Sequence, residues 1–186
     1  MRGKSFVPRD YDVFTGLDVS KKSMSVTFTN HQGFIRSLNM PHKAEPLLHY
    51  VRKHFPDQKI AFVYEAGPTG YGLYDGLAAQ AYPCLIVAPS MIPKAPGQRV
   101  KTNRLDSKAL SENLRGGQLN SIHVPSAPYR QLRHLTQLRD VLVSELAGMK
   151  QRIKSLLLFE GIEFPPAPPG SQWSFLVKDK LRKLPC

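Results

Sequence analysis

Cysteine is scarce in this chain. There are two in 186 residues, Cys84 inside an apolar run and Cys186 at the end. Their spacing makes neither a metal-ligand pair nor a disulfide framework, so a reducing compartment is expected. His31, His42, His49, His54, His123 and His134 are scattered and show no zinc spacing. No apolar run is long enough to span a bilayer, and the opening MRGKSFVPRDYD has no signal-peptide core. The expectation is a soluble, cytoplasmic protein without a membrane partner. Acidic residues are also few, 14 against 26 Lys and Arg, which leaves a formal net charge of +12. That balance points to a polyanion, nucleic acid first. A ribosome-associated or merely basic protein has the same balance.

What is present is a clear change of hydrophobic period along the chain. Val13, Thr15, Leu17 and Val19 alternate with Phe14, Gly16 and Asp18, as a strand requires. Met24, Val26 and Phe28 alternate with Ser25, Thr27 and Thr29 in a second strand. After the turn Asn30-His31-Gln32-Gly33, Phe34 to Met40 is a third. An antiparallel meander is expected. A helix from Pro46 carries Leu47, Leu48, Val51 and Phe55 on one side. Lys59 to Glu65 and Cys84 to Ala88 read as buried strands. Between them a helix runs through Tyr74, Leu77 and Ala78, with Thr69 as a candidate cap. A basic loop leads to a helix from about Asn103 to Arg115, ended by Gly116-Gly117.

The order β-β-β-α-β-α-β-α predicts an α/β fold, a mixed sheet with helices on its faces. It is the order of the ribonuclease H-like (RuvC-like) fold, and actin-like ATPases share its opening meander. From Pro128 to about Phe164 one long helix is expected. Leu132, Leu135, Leu138, Leu142, Leu146, Met149, Ile153 and Leu156 form a coiled-coil-like seam at spacings of three and four. Either the helix packs on its own domain or the seam makes a dimer or hairpin stalk. Pro165 to Gly170 reads as a linker. The domains expected are a basic arm over 1–11, the sheet domain over 12–125, the long helix over 126–164, and a linker with the start of a further element over 165–186.

Three acidic residues stand where such a fold brings them together. Asp18 lies late in the first strand, Glu65 ends a buried strand, and Asp106 is near the start of a helix. Carboxylates on rigid elements hold divalent metal for phosphodiester chemistry. Each also has an ordinary reading: a turn cap, a solvated strand end, a charge complementing a helix dipole. Lone charges on otherwise apolar strands are costly, which favours the site. Lys94, Arg99, Lys101, Arg104, Lys108 and Arg115 form a basic stretch that would grip phosphates beside it, or simply a solvated face. Arg130 and Arg133 add positive charge on the long helix. Tyr64, Tyr71 and Tyr74 would stack on bases or fill the core.

Three segments carry a resemblance: GLDVSKKSMSV, then VYEAGPTGYGLY, then VKTNRLDSKALSENLRGGQL followed by IHVPS. In this order, with the long helix after them, they resemble the DEDD transposases of insertion sequences. That family includes the Piv DNA invertase and the bridge-RNA-guided recombinases. The resemblance covers about residues 12 to 160 and implies a RuvC-like domain with Asp18, Glu65, Asn103 and Asp106 as catalytic positions. Asp18, Glu65 and Asp106 would hold Mg2+ or Mn2+. The family's Asp-x-x-Asp pair falls on Asn103 and Asp106, so one carboxylate is an amide, which coordinates through its oxygen but adds no charge. The resemblance further implies DNA and a guide RNA as partners, a homo-oligomer (dimer or tetramer), and a C-terminal domain beyond Cys186 without which recombination is incomplete.

Two other functions fit the same residues. A stand-alone RuvC-like nuclease would cleave alone, and a non-catalytic nucleic-acid-binding or dimerisation remnant would bind without cleaving. An actin-like ATPase needs a glycine-rich phosphate loop after the first aspartate, where Val19-Ser20-Lys21-Lys22 stands instead.

Overall fold

The structure is a computed structural model that describes residues 6–93, 103–168, 170 and 172–184, with the backbone alone at 103 and 104. Five strands follow the expected order: β1 (Val13–Val19), β2 (Ser23–Asn30), β3 (Gly33–Pro41), β4 (Ile60–Glu65) and β5 (Cys84–Val87). β1, β2 and β3 pair antiparallel, because short turns join them. β4 lies parallel to β1, and β5 parallel to β4, because a helix carries the chain back each time. The sheet order is β3-β2-β1-β4-β5, which puts β1 at its centre.

Alternation along β1 divides the core in two. Val13 and Leu17 face one side, with Met24, Val26, Phe28, Phe62 and Tyr64. That side is covered by α1 (Ala44–His54), through Leu47, Leu48 and Val51, and by α2 (Gly72–Ala78), through Leu73 and Leu77. The N-cap position of α2 falls on Tyr71 rather than Thr69. Phe14 faces the other side with Ala61, Val63, Leu85 and Val87, beneath Leu110 and Leu114 of α3 (Asn103–Arg115). Phe6 stacks on Tyr11 and packs against this second cluster. The face carrying Asp18 is therefore packed too. α3 ends in a Schellman turn, with the amide of Gly117 on the Leu114 carbonyl and that of Gln118 on Asn113. Beyond it Ser121 bridges to Val87, and the amide of Ile122 donates to the Ile86 carbonyl at 2.7 Å.

The chain forms two compact units, 1–124 and 125–186. The second begins with α4 (Ala127–Phe159). It stops before Phe164 because Gly161 takes φ +69°, and the Gly161 and Ile162 amides turn back to Leu158 and Leu157. The proline-rich stretch then leads to α5 (Phe175–Arg182), which folds back within the same unit. Trp173 packs on Phe164, Lys150 lies over the Trp173 ring, and Lys154 lies over Phe164 and donates to Gln172. Leu157 and Val177 are the buried apolar residues of this unit among those described.

Candidate active site

The register of β1 and β4 decides where the first two carboxylates stand. Val13 lies beside Ile60, and the pairing runs in step to Leu17 beside Tyr64. One step further along both strands come Asp18 and Glu65. Phe14, Gly16 and Asp18 alternate onto the side of the sheet that α3 covers, as do Ala61, Val63 and Glu65. The two carboxylates thus share one face at the C-terminal end of neighbouring parallel strands, where α/β sheets place their sites.

Asp106 reaches the same edge because α3 lies unusually close to β1. Gly16 sits directly beneath it. A Cβ at that position would fall 2.5 Å from the Ser111 nitrogen and nearer still to the Ser107 carbonyl oxygen. Only glycine admits the helix backbone this closely. A layer of hydroxyls on β2 meets the helix at Ser107. Ser107 is fully buried, its Oγ 2.8 Å from Thr27 Oγ1 and 3.2 Å from Ser25 Oγ. Thr27 Oγ1 also meets Ser37 Oγ at 2.6 Å, and Thr29 Oγ1 donates to the Phe14 carbonyl at 3.3 Å. Asp106, the residue before Ser107, is held at the strand ends by these contacts.

Asp18 feels the other two carboxylates. Asp18 is half-buried, and its carboxyl is raised above the ordinary 3.8, first by burial, then by the charge of Asp106, then by that of Glu65. Glu65 is exposed and Asp106 half-buried. Among the described residues no Lys or Arg forms an ion pair with any of the three. Nor do any three His, Cys, Asp or Glu among the described residues stand close enough to hold a metal ion. Asp18 is repelled by the other two acids at this edge, and among the described residues the three do not close into a cage. An uncompensated set of carboxylate oxygens is the donor chemistry a hard divalent cation takes, and the geometry would have to tighten around the ion.

The remaining predicted residues are spread more widely. Lys108 is exposed, pairs with Glu112 at 3.8 Å and lies over the Phe34 ring at 5.6 Å. Arg115 donates to the His31 carbonyl at 3.2 Å. Nine residues of helix, about 13 Å, separate it from Asp106, so it stands at the other end of the sheet. Arg130 and Arg133 belong to α4 in the second unit. Lys94, Arg99 and Lys101 lie outside the described residues, as do the side chains of Asn103 and Arg104. Tyr64 is buried and donates its hydroxyl to the Gly70 carbonyl at 3.2 Å, so it is a core residue and not a base-stacking one. Gly16 and the hydroxyls of Ser25, Thr27 and Ser107 were not foreseen. Their signals were a glycine inside an apolar strand and a strand face carrying hydroxyls but no charges.

The antiparallel opening, the parallel β4 and β5, and the α3 helix laid on β1 define an α/β fold of ribonuclease H-like type. A family model for DEDD transposases of the IS110 type, described as transposase, matches residues 15–160, and the chain belongs to that family. It is 34% identical over 161 residues to a protein of Sinorhizobium fredii (strain NBRC 101917 / NGR234) named as the transposase y4qE, a match covering 84% of this chain and 41% of that protein. It is 26% identical over 158 residues to the transposase for insertion sequence element IS1533 of Leptospira borgpetersenii, covering 83% of this chain and 46% of that protein. The chain spans less than half the length of these curated relatives. No helix among the described residues is long and apolar enough to cross a membrane.

Proposed function

We propose that this chain supplies the DNA-cleaving half of an insertion-sequence transposase, a cytoplasmic recombinase whose RuvC-like edge works on a DNA strand with a divalent metal. The observation that carries this reading is the parallel register that sets Asp18 beside Glu65 on the face under α3. Asp18, Glu65 and Asp106 would hold Mg2+ or Mn2+, with Asn103 as a neutral fourth oxygen donor. When bound, the metal would polarise a phosphodiester and lower the pKa of a water or hydroxyl. The protein's own contribution is to hold three carboxylates on rigid elements and to meet the flanking phosphates with Arg99, Lys101, Arg104 and Lys108. A guide RNA and a C-terminal domain complete the reaction in this reading, and a homo-oligomer assembles through α4.

The test is calorimetric titration of the chain with MgCl2 and MnCl2, followed by nicking of supercoiled plasmid. Binding is expected in the wild type, with at least a tenfold loss in Asp18→Asn and in Glu65→Gln. Equal affinity in all three proteins would remove the carboxylates from the site.

A second reading is favoured by two observations, the amide at Asn103 and the lack of a closed three-ligand cluster among the described residues. On that reading the chain binds nucleic acid without cleaving it. DNA binding that persists with neither metal uptake nor nicking would select it.

A further inference from the structure

Two short loops lie at the end of the sheet where β1 finishes, the second of them on the outer strand β3. One is the β1–β2 turn, Ser20 to Ser23, which carries Lys21 and Lys22. The other joins β3 to α1 and carries His42 and Lys43. All three lysines are exposed and His42 is half-buried. Among the described residues none of the lysines is in an ion pair. The acidic residues nearest in sequence are Asp18 for Lys21 and Lys22, and Glu45, in the first turn of α1, for Lys43.

The loops are tied to one another. The Ser20 amide donates to the Ser23 carbonyl at 2.9 Å, and the Ser20 hydroxyl donates to the same oxygen at 2.7 Å. The His42 amide donates to the Lys22 carbonyl at 3.2 Å, and the Lys43 amide to the Pro41 carbonyl at 2.8 Å. The lysine backbones are therefore fixed before anything binds, and long side chains on a fixed frame lose less freedom on contact.

Their position answers an electrostatic problem. Three carboxylates on one edge repel a polyanion within a screening length of about 8–10 Å. Lys21 and Lys22 are the two residues at the tip of the turn that follows β1, three and four positions past Asp18. We propose that Lys21, Lys22 and Lys43, with His42 between them, form a surface that grips the DNA backbone a few nucleotides from the phosphate at the carboxylate edge. This rests on the reading of that edge as a DNA-cleaving site. It names an interaction surface separate from the basic stretch before and within α3.

The test is the salt dependence of binding to a fluorescein-labelled DNA duplex, followed by anisotropy. Lys21→Gln/Lys22→Gln/Lys43→Gln is compared with wild type and with Lys178→Gln/Lys180→Gln/Arg182→Gln, which removes the same charge from α5. Wild-type affinity should fall steeply with salt. The loop variant should lower the log–log slope by about 2 to 3, since each lost phosphate contact removes about 0.9. The α5 variant should lower it by less than about 1, on the same rule. Thermal unfolding of each variant establishes that it is folded. A wild-type slope retained in the loop variant overturns the surface and leaves the proposed function standing. An equal loss in both variants assigns the effect to net charge and overturns it as well. A wild type that binds no DNA defeats both readings together.

Discussion

Asp18 is the residue on which burial and like charge act together. Its carboxyl is raised above 3.8, so the folded chain binds that proton more tightly than the unfolded chain does. The stability this group contributes is full below the unfolded value. It is lost as pH rises through the raised one, and at neutral pH ionised Asp18 works against the fold. In a chelating buffer, Asp18→Asn should therefore melt above wild type at neutral pH, with the gap closing as the solution is acidified. A variant that melts lower at neutral pH would contradict the repulsion. Added Mg2+ or Mn2+ should raise the wild-type melting temperature by more than the variant's, because the variant has one carboxylate fewer at the edge for the cation to neutralise. The acids at 18, 65 and 106 were legible in the sequence as residue types on particular elements. Their coupling was not, because it depends on a register and a helix approach set by residues that are not themselves acidic.

At the scale of elements, the decisive contact is α3 on β1. The period-two pattern on β2 assigned Met24, Val26 and Phe28 to a core and left Ser25, Thr27 and Thr29 without a role. In the folded chain they are buried, with Ser25 and Thr27 bonded to Ser107 of α3. Hydroxyls are small and bond either as donor or acceptor, so they line a close helix–sheet interface without the cost of an unpaired charge. Gly16 sets the distance at which this happens. Gly16→Ala should push the helix away and destabilise the first unit by about 1–3 kcal/mol, the usual range for overpacking. It should also weaken divalent-metal affinity by more than the stability loss accounts for, since Asp106 rides on α3. Denaturant titration and calorimetry on the same preparation separate the two effects. Metal affinity equal to wild type would detach Asp106 from the site.

For the whole molecule, the two units pose different physical problems. The first buries its apolar residues on both sides of a sheet. The second leaves Leu135 at 65%, Leu142 at 55% and Leu146 at 52% exposed along α4. An apolar seam of this length is rarely left to water, and its spacing suits a second helix. The chain should self-associate with rising concentration, at least doubling its sedimenting mass. Leu138→Glu/Leu142→Glu should return it to a monomer with the first unit still folded. A wild type that stays monomeric across the concentration range would place the partner of the seam elsewhere.

Local chemistry determined the elements: their order, the alternating strands, the glycine ending of α3, the long leucine-spaced helix and the excess of positive charge. These follow from each residue's own shape, polarity and neighbours, and they could be read in order along the chain. The common edge of Asp18, Glu65 and Asp106 needed strands far apart in sequence to pair in one register, and a helix to settle on Gly16. So did the burial of the hydroxyl face and the bond that ties the loop of Lys22 to that of His42. No local property fixes which strands meet or how closely a helix lies on them. That is set by the packing of the whole sheet at once.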